Sequence, residues 1–302
     1  MMKLGLVSAI LPDSTFEEVI DYAAGVGFSC VEVCCWPKGK ALRRYAGVTH
    51  IDLDGLTDEK MNYYLDYAKE RGVSISSLAY YPNPLSGDAE TARVAVEHIG
   101  KLIDVSARMG INMVTTFIGK DKDKSVEENL EKFRQVWTPI LRHAEEKGVR
   151  IGIENCPMYY TQDEWPGGNN LASTPYIWRQ MFQLSPNLGL NFDPSHPYLL
   201  DASYIKPLYE FKDRIFHVHF KDIKIYQDKL DEYGRFSHPA LWHSPKLPGL
   251  GGVDFGAFCS ALNDIGYTGP ACIEVEDRAF EGCIGDVKAG IEQSYRYMRQ
   301  FI

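Results

Sequence analysis

Side chains that commonly bind metal ions recur at the ends of four β-branched runs in the second half of the chain. The run VRIGIEN contains Glu154, LGLNFD ends at Asp193, RIFHVHF contains His219, and PACIEVE contains Glu274 and Glu276. A strand buried in a parallel sheet should be apolar, so charged residues at its end need a reason. Carboxylates with one imidazole form a hard, oxygen-rich ligand set that favours Mn²⁺, Mg²⁺ or Co²⁺ over a structural zinc. Such an ion would polarise a carbonyl or hydroxyl oxygen as a Lewis acid.

The spacing within two of these runs leaves one ligand undecided. Residues two apart in a strand share a face, so His217 and His219 point the same way at different depths, and so do Glu274 and Glu276. The outer residue is the better ligand, which selects His219, with His217 as a buried structural imidazole beneath it. Glu274 and Glu276 both remain candidates. Alternatively, each carboxylate could form an ion pair with a lysine or arginine on another strand. The first four runs, however, contain no corresponding set of basic residues.

Eight β-branched runs alternate with eight amphipathic helical patterns along the whole chain, and glycines such as Gly27 and Gly148 end several of the helical patterns. This alternation predicts an α/β fold, a single-domain (β/α)₈ TIM barrel over residues 1–302. A doubly wound open sheet is the alternative, but its first turn should be glycine-rich, and here it reads SAILPDST. The predicted strands are 3–8, 30–35, 73–79, 111–117, 149–155, 188–193, 214–220 and 270–276.

Two long segments follow the fifth and seventh predicted strands, near residues 156–174 and 221–254. In a TIM barrel both would lie at the C-terminal face of the strands, where active sites are built. We therefore expect these segments to form the walls or the lid of a pocket.

The composition narrows the class of partner. The net charge of −9 argues against nucleic acid, because affinity for nucleic acid depends on Lys and Arg that neutralise phosphates. The start, MMKLGLVSAILPDS, lacks the features of a signal peptide, and no run approaches 18 apolar residues, so we expect a cytoplasmic protein without a membrane partner. The seven cysteines form no CxxC pair, which disfavours a zinc knuckle and a disulfide framework.

The runs IENC, GGNNLASTPYIWRQMF, GLNFDPSH, IFHVHFKD, HSPKLPGLGGVDF and GYTGPACIEVEDRAF resemble the sugar phosphate isomerase/epimerase group of the xylose isomerase-like TIM barrels, over about residues 1–300. In the ketohexose 3-epimerases of this superfamily, a Glu, an Asp, a His and a Glu at the ends of strands five to eight hold one divalent ion. The matching residues are Glu154, Asp193, His219 and Glu274, so the resemblance selects Glu274 on the last strand. It implies Mn²⁺ first, with Mg²⁺, Co²⁺ and Zn²⁺ as alternatives.

The resemblance also implies a reaction. In those epimerases the two glutamates face each other across the substrate as acid and base, which makes Glu154 and Glu274 the predicted catalytic pair, and a His three residues after the Asp, here His196, binds the substrate. One glutamate would remove a proton next to a carbonyl to give an enediolate, and the other would return it. The outcome would be an epimer, an isomer or, if a β-substituent leaves, a lyase product.

This chain departs from the epimerase pattern in its loops. The second acid expected beyond strand five is missing, with Tyr160 near the equivalent place; the arginine expected after the strand-seven His is not evident; and the segment after His219 is longer. We therefore expect a small carbohydrate larger than a free ketohexose, such as an oxidised sugar or a 3-keto-glycoside. The predicted substrate-binding residues are His196, Lys221, His243 and Trp36, with Asp222 as a candidate for a direct role or a salt bridge.

A rival from another functional class is an endonuclease that cuts at abasic sites with three zinc ions. It would need histidine ligands from strands three and four, where the chain reads SSLAYYPNP and TTFIGKD. Pairing of copies through the outer helices, a homo-oligomer, is a further expectation, but no sequence feature locates the interface.

Overall fold

The computed structural model describes residues 1–39, 45–158 and 167–302. Within these residues, eight parallel strands close into a barrel. The barrel strands are β1 Lys3–Val7, β2 Cys30–Cys34, β3 Ser74–Ala79, β4 Met113–Thr116, β5 Arg150–Glu154, β6 Leu188–Phe192, β7 Ile215–Phe220 and β10 Pro270–Ile273. Their order around the barrel is β1-β10-β7-β6-β5-β4-β3-β2. The predicted (β/α)₈ TIM barrel is confirmed, and every predicted strand overlaps an observed one.

Helices cover the outside of the barrel and begin and end with capping signals that the sequence contains. Helix α1 (Phe16–Val26) starts with a capping box in which the Thr15 side chain accepts from the backbone N–H of Glu18. It ends at Gly27, whose φ of 107° lies in the left-handed region that glycine adopts readily. The remaining helices are α2 Asp58–Glu70, α3 Ala89–Arg108, α4 Val126–Lys147, α5 Pro175–Met181, α6 Ser195–Leu199, α7 Lys206–Glu210, α8 Gln227–Tyr233, α9 Phe255–Asp264 and α10 Ile284–Met298.

The segment at 221–254 folds into an antiparallel hairpin that was expected only as a loop. Strands β8 (Asp222–Ile225) and β9 (His243–Lys246) pair with Asp222 opposite Lys246, and α8 lies between them. The hairpin is fixed to the barrel by a small apolar cluster in which Ile223 and Trp242 pack against Leu199 of α6. Because β8 begins two residues after the end of β7, the hairpin stands directly above the C-terminal ends of the strands.

Two further points concern membrane-spanning helices and the position of Tyr160. None of the helices in the described residues has the length and apolar character needed to cross a bilayer. Tyr160, which stands near the place of the missing second acid, lies outside the described residues, as does part of the segment at 156–174.

Candidate metal centre and active site

The structure brings Glu154, Asp193, His219 and Glu274 together at the C-terminal rim of the barrel. They lie at or next to the ends of β5, β6, β7 and β10, which are neighbours in the sheet, so the four side chains follow one another around the rim. One ligand atom from each lies within 4.8 Å of those of the other three. Asp193 and His219 are completely buried, Glu154 is nearly so, and the Glu274 side chain is 19% exposed.

The atoms at the centre of this cluster fit a hard divalent cation. Among the residues that the structure describes, His219 Nδ1 is buried without a hydrogen-bond partner, and Asp193 Oδ2 is buried with ionic contacts alone, to Lys221 Nζ at 3.2 Å and His196 Nε2 at 3.3 Å. His219 Nδ1 lies 3.5 Å from Glu274 Oε2 and 3.9 Å from Glu154 Oε1, so it points into the group of carboxylates. Buried polar atoms left without hydrogen bonds are rare in proteins and require an explanation such as a bound ion. The donor set of three carboxylates and one imidazole suits Mn²⁺ or Mg²⁺.

Lys221 extends its ammonium group into the same cluster. Its Nζ lies 2.6 Å from Glu274 Oε2, 3.2 Å from Asp193 Oδ2 and 3.7 Å from Glu154 Oε1. It also lies 3.4 Å from Glu276, which stands farther out on the same rim. Burial disfavours the ammonium, but the surrounding carboxylates outweigh burial and raise the pKa of Lys221 well above its usual value. A positive charge therefore lies among the predicted ligands.

His196 contacts the cluster from α6. Its Nε2 lies 3.1 Å from Glu154 Oε1 and 3.3 Å from Asp193 Oδ2, and the residue is 7% exposed. Burial disfavours ionisation of Glu154, but Lys221 and the two neighbouring histidines outweigh it and hold the pKa of Glu154 well below its usual value. Glu154 is therefore an ionised carboxylate at neutral pH.

A cavity of about 210 Å³ opens beside these residues and contains several of the predicted substrate-binding side chains. His196, Lys221 and His243 line it, and the hairpin supplies one side. Trp36 is not among the described residues that line the cavity. It packs edge to face against Tyr80 at a centroid distance of 4.8 Å, within the neighbouring apolar part of the rim.

Asp222 lines the cavity and also holds several backbone N–H groups, a contact that the sequence did not predict. Its carboxylate accepts hydrogen bonds from the backbone N–H groups of Ile223, Gly249, Gly251 and Val253, at 2.8 to 3.0 Å. Both oxygens are used in this way, so Asp222 fixes the loop after β9 to the start of β8. A salt bridge joins Lys246, which lies opposite Asp222 in the hairpin, to Asp277 at 2.9 Å.

The sequence analysis missed Glu32, which lies in the middle of β2 and is completely buried. Its carboxylate lies 3.2 Å from His219 Nε2 and accepts a hydrogen bond from the Tyr81 hydroxyl at 2.7 Å. Burial opposes its ionisation, but the adjacent histidines and Tyr81 lower the pKa of Glu32 to about 2. The sequence could have identified Glu32, because a glutamate within CVEVC is a charged residue in an apolar strand. His217 is completely buried below His219, as predicted.

A closed parallel barrel with acids and a histidine at the C-terminal rim of its strands is the architecture of TIM-barrel enzymes. The chain belongs to the xylose isomerase-like TIM barrel family, whose model matches residues 20–301. The resemblance noted from the sequence is thereby confirmed.

Several relatives of this chain carry the names of enzymes, and these enzymes belong to more than one reaction class. The inosose dehydratase of Lacticaseibacillus casei is 30% identical over 271 residues, which cover 87% of this chain and 82% of that protein. The ketose 3-epimerase of Arthrobacter globiformis is 22% identical over 212 residues, covering 68% and 64%. The solved structure of D-psicose 3-epimerase from Clostridium cellulolyticum H10 matches with a TM-score of 0.69 at 15% identity, covers 99% of both chains, and supports the fold.

Proposed function

We propose that this protein is a divalent-metal-dependent sugar isomerase or epimerase that transfers a proton at a carbon next to a carbonyl. The observation that carries the proposal is the convergence of Glu154, Asp193 and Glu274 on His219 Nδ1, a buried nitrogen that has no hydrogen-bond partner among the described residues. In this proposal Glu154, Asp193, His219 and Glu274 hold one ion, with Mn²⁺ as the first candidate.

The ion would supply Lewis-acid polarisation of the carbonyl and hydroxyl oxygens of the substrate. Glu154 and Glu274 act as the acid and base pair: one removes the carbon-bound proton to give an enediolate, and the other returns a proton. Because Glu154 is ionised, its carboxylate is free to accept a proton, and its lowered pKa reduces its strength as a base. Lys221 and His196 line the cavity and donate hydrogen bonds to substrate oxygens.

Dehydration is the second candidate, because two additional proton donors stand beside the glutamate pair. After the carbon–hydrogen bond is broken, the hydroxyl group on the adjacent carbon would leave with its bonding electrons and take a proton from Lys221 or His196, releasing water. Both donors lie within 4 Å of Glu154. The 30% identity with an inosose dehydratase agrees with this outcome.

The substrate we propose is a polyhydroxylated ketone larger than a free ketohexose, such as an oxidised sugar or a 3-keto-glycoside. The hairpin that forms one side of the cavity supports this choice, because it adds polar and apolar contacts beyond the ligand cluster. The protein would thus act on a small carbohydrate.

An abasic-site endonuclease is not supported by the cluster. Within the described ranges, the groups of side chains able to bind a metal come from β2, β5 and β7 and from the residues that follow β5, β6 and β10. Strands β3 and β4 contribute none. Metal analysis separates the two classes, since the proposal expects one ion per chain and a three-zinc content would contradict it.

The direct test is incubation of the Mn²⁺-loaded protein in D₂O with a panel of ketoses, inososes and 3-keto-glycosides. We expect deuterium at a carbon next to the carbonyl of one compound, detected by NMR and mass spectrometry. An epimer or isomer identifies the first candidate, and loss of 18 mass units by dehydration identifies the second. Glu154→Gln is the matched control, because it keeps the shape of the side chain and removes the base. Absence of exchange in every panel compound would overturn the proton-transfer proposal.

A further inference from the structure

Beneath the proposed metal centre lies a buried carboxylate with no part in the reaction described above. Glu32 is completely buried in β2. It accepts from the Tyr81 hydroxyl at 2.7 Å and from the Ser77 hydroxyl at 3.2 Å, and its Oε2 lies 3.2 Å from His219 Nε2. The contact is with the ring nitrogen on the side opposite Nδ1, which points into the cluster of predicted ligands.

We propose that Glu32 is a positioning residue that holds the proton of His219 on Nε2 and so leaves Nδ1 as the ligand atom. The inference rests on the proposed metal function. An ionised carboxylate can only accept hydrogen bonds, so its contact with Nε2 requires that Nε2 carry a proton. A neutral imidazole has one N–H, and its other nitrogen then has a free lone pair. Histidines that bind metals are commonly held in this way by a carboxylate behind the ring.

Asn191 also faces His219 Nε2, through its amide Nδ2 at 2.9 Å, while its Oδ1 faces His217 Nδ1 at 2.9 Å. A half turn of an amide exchanges its donor and its acceptor, so a proton on Nε2 requires the orientation that places Oδ1 toward His219 and Nδ2 toward His217. The carboxylate of Glu32 has no such alternative. Of the two groups that face Nε2, Glu32 is therefore the one that decides the tautomer.

A chain of buried side chains holds Glu32 in place. Asn191 lies 3.0 Å from the Tyr81 hydroxyl and 2.9 Å from His217 Nδ1, and His217 Nε2 lies 3.1 Å from the Ser76 hydroxyl. These residues come from β3, from the segment directly after it, and from β6 and β7, so the network crosses the barrel interior. Burying a charge rarely stabilises a fold more than a well-packed apolar residue would. The stability of the barrel therefore gives no reason for a glutamate at this position, whereas orientation of His219 does.

The test compares Glu32→Leu and Glu32→Gln with the wild type and with Ser106→Ala. Glu32→Leu removes the acceptor at similar size, whereas Glu32→Gln keeps an oxygen that can still accept from Nε2. Ser106→Ala is the matched control, because Ser106 is also completely buried and hydrogen-bonded, to the backbone of Met113, but lies far from the rim. Thermal unfolding first establishes that each variant folds.

Two measurements then report on His219 without an activity assay. Calorimetric titration with Mn²⁺ should show affinity about 10- to 100-fold weaker in Glu32→Leu, a smaller loss in Glu32→Gln, and no change in Ser106→Ala. In ¹⁵N-histidine spectra of the Mg²⁺-loaded wild type, the His219 signals, assigned with His219→Gln, should show a proton on Nε2 and none on Nδ1. In Glu32→Leu the Nε2 proton signal should shift or disappear.

Three outcomes overturn the inference, and they are distinguishable. Wild-type Mn²⁺ affinity in a folded Glu32→Leu variant refutes the role of Glu32 and leaves the metal function intact. A proton on Nδ1 in the Mg²⁺-loaded wild type refutes that role and also removes His219 from the ligands. Failure of the wild type itself to bind Mn²⁺ or Mg²⁺ refutes the proposed function, and the inference falls with it.

Discussion

At the scale of single residues, Lys221 is the side chain whose surroundings most constrain the chemistry. Its ammonium group is buried within 4 Å of four carboxylates, those of Glu154, Asp193, Glu274 and Glu276. Carboxylates so close together repel one another in a site with little water, and each loses hydration on burial. The lysine therefore compensates charge that a bound cation would otherwise have to compensate alone.

We predict that Lys221→Met lowers the free energy of unfolding in EDTA. Addition of Mn²⁺ should raise this free energy by more in Lys221→Met than in the wild type. Removing one partner from a buried ion pair typically costs about 3–5 kcal/mol, because the remaining charge stays buried. Urea unfolding of both proteins in EDTA and in excess Mn²⁺ measures the difference. Lys224→Met, at an exposed position of the hairpin, is the control. Equal gains from Mn²⁺ in both proteins would contradict the prediction.

The residues of the site differ in how far the sequence could identify them. Glu154, Asp193 and His219 could be predicted because each is a polar residue at the end of an apolar strand. Glu274 could not be separated from Glu276 by strand periodicity, since both share a face; the structure places Glu274 in the cluster and Glu276 beside Lys221. The clamp formed by Asp222 could not be predicted, because it depends on backbone N–H groups about thirty residues away along the chain.

At the scale of elements, the hairpin of β8 and β9 is the part of the structure that the sequence predicted least well. The position of the segment was predictable from its place after β7, but its two strands were not. Strand β9 contains Pro245 and its residues are all half-buried, so it lacks both the apolar pattern and the composition of a typical strand. Its stability comes from Asp222 and from packing on α6, neither of which is a local signal.

We predict that Asp222→Ala loosens the hairpin while leaving metal affinity within a factor of two of the wild type. Four backbone N–H groups would lose a charged acceptor, which we expect to lower the free energy of unfolding by about 2–4 kcal/mol. Hydrogen exchange should rise in residues 247–253, and calorimetry with Mn²⁺ measures the affinity. Asp228→Ala, at an exposed position of α8, is the control. A large loss of metal affinity would instead identify Asp222 as a ligand.

His243, at the start of β9, gives the hairpin a predictable dependence on pH. Burial lowers the pKa of His243 to about 4 from an ordinary value of 6.5. Between about pH 6.5 and pH 4 the His243 ring is protonated in the unfolded chain but neutral in the folded protein. The free energy of unfolding therefore has its full value above pH 6.5 and decreases as the pH falls toward 4. We predict that His243→Gln reduces the loss of stability between pH 7 and pH 5 by about 1–2 kcal/mol. Urea unfolding at the two pH values tests this, and an unchanged difference would refute it.

At the scale of the whole molecule, the barrel was predictable because its strands are buried on both faces. Such strands read as short, nearly continuous apolar runs, and the helices between them carry their own capping signals at residues such as Thr15 and Gly27. The closing of the barrel between β1 and β10 requires no further sequence signal, since eight alternating units in one chain favour closure. Closure is also what brings Glu32 of β2 below His219 of β7.

The proposed ion would join four neighbouring strands, so its binding should stabilise the whole barrel. A ligand that binds only the folded state at 100 times its dissociation constant adds about 2.7 kcal/mol to the free energy of unfolding. For a chain of this size we expect a rise in Tm of about 5 °C. Calorimetric unfolding with excess Mn²⁺ should show the rise, and EDTA should reverse it. Asp193→Asn should abolish it, because this change removes the buried Oδ2 and keeps the Oδ1 that accepts from the Ser195 N–H. Persistence of the full rise in Asp193→Asn would place the ion elsewhere in the protein.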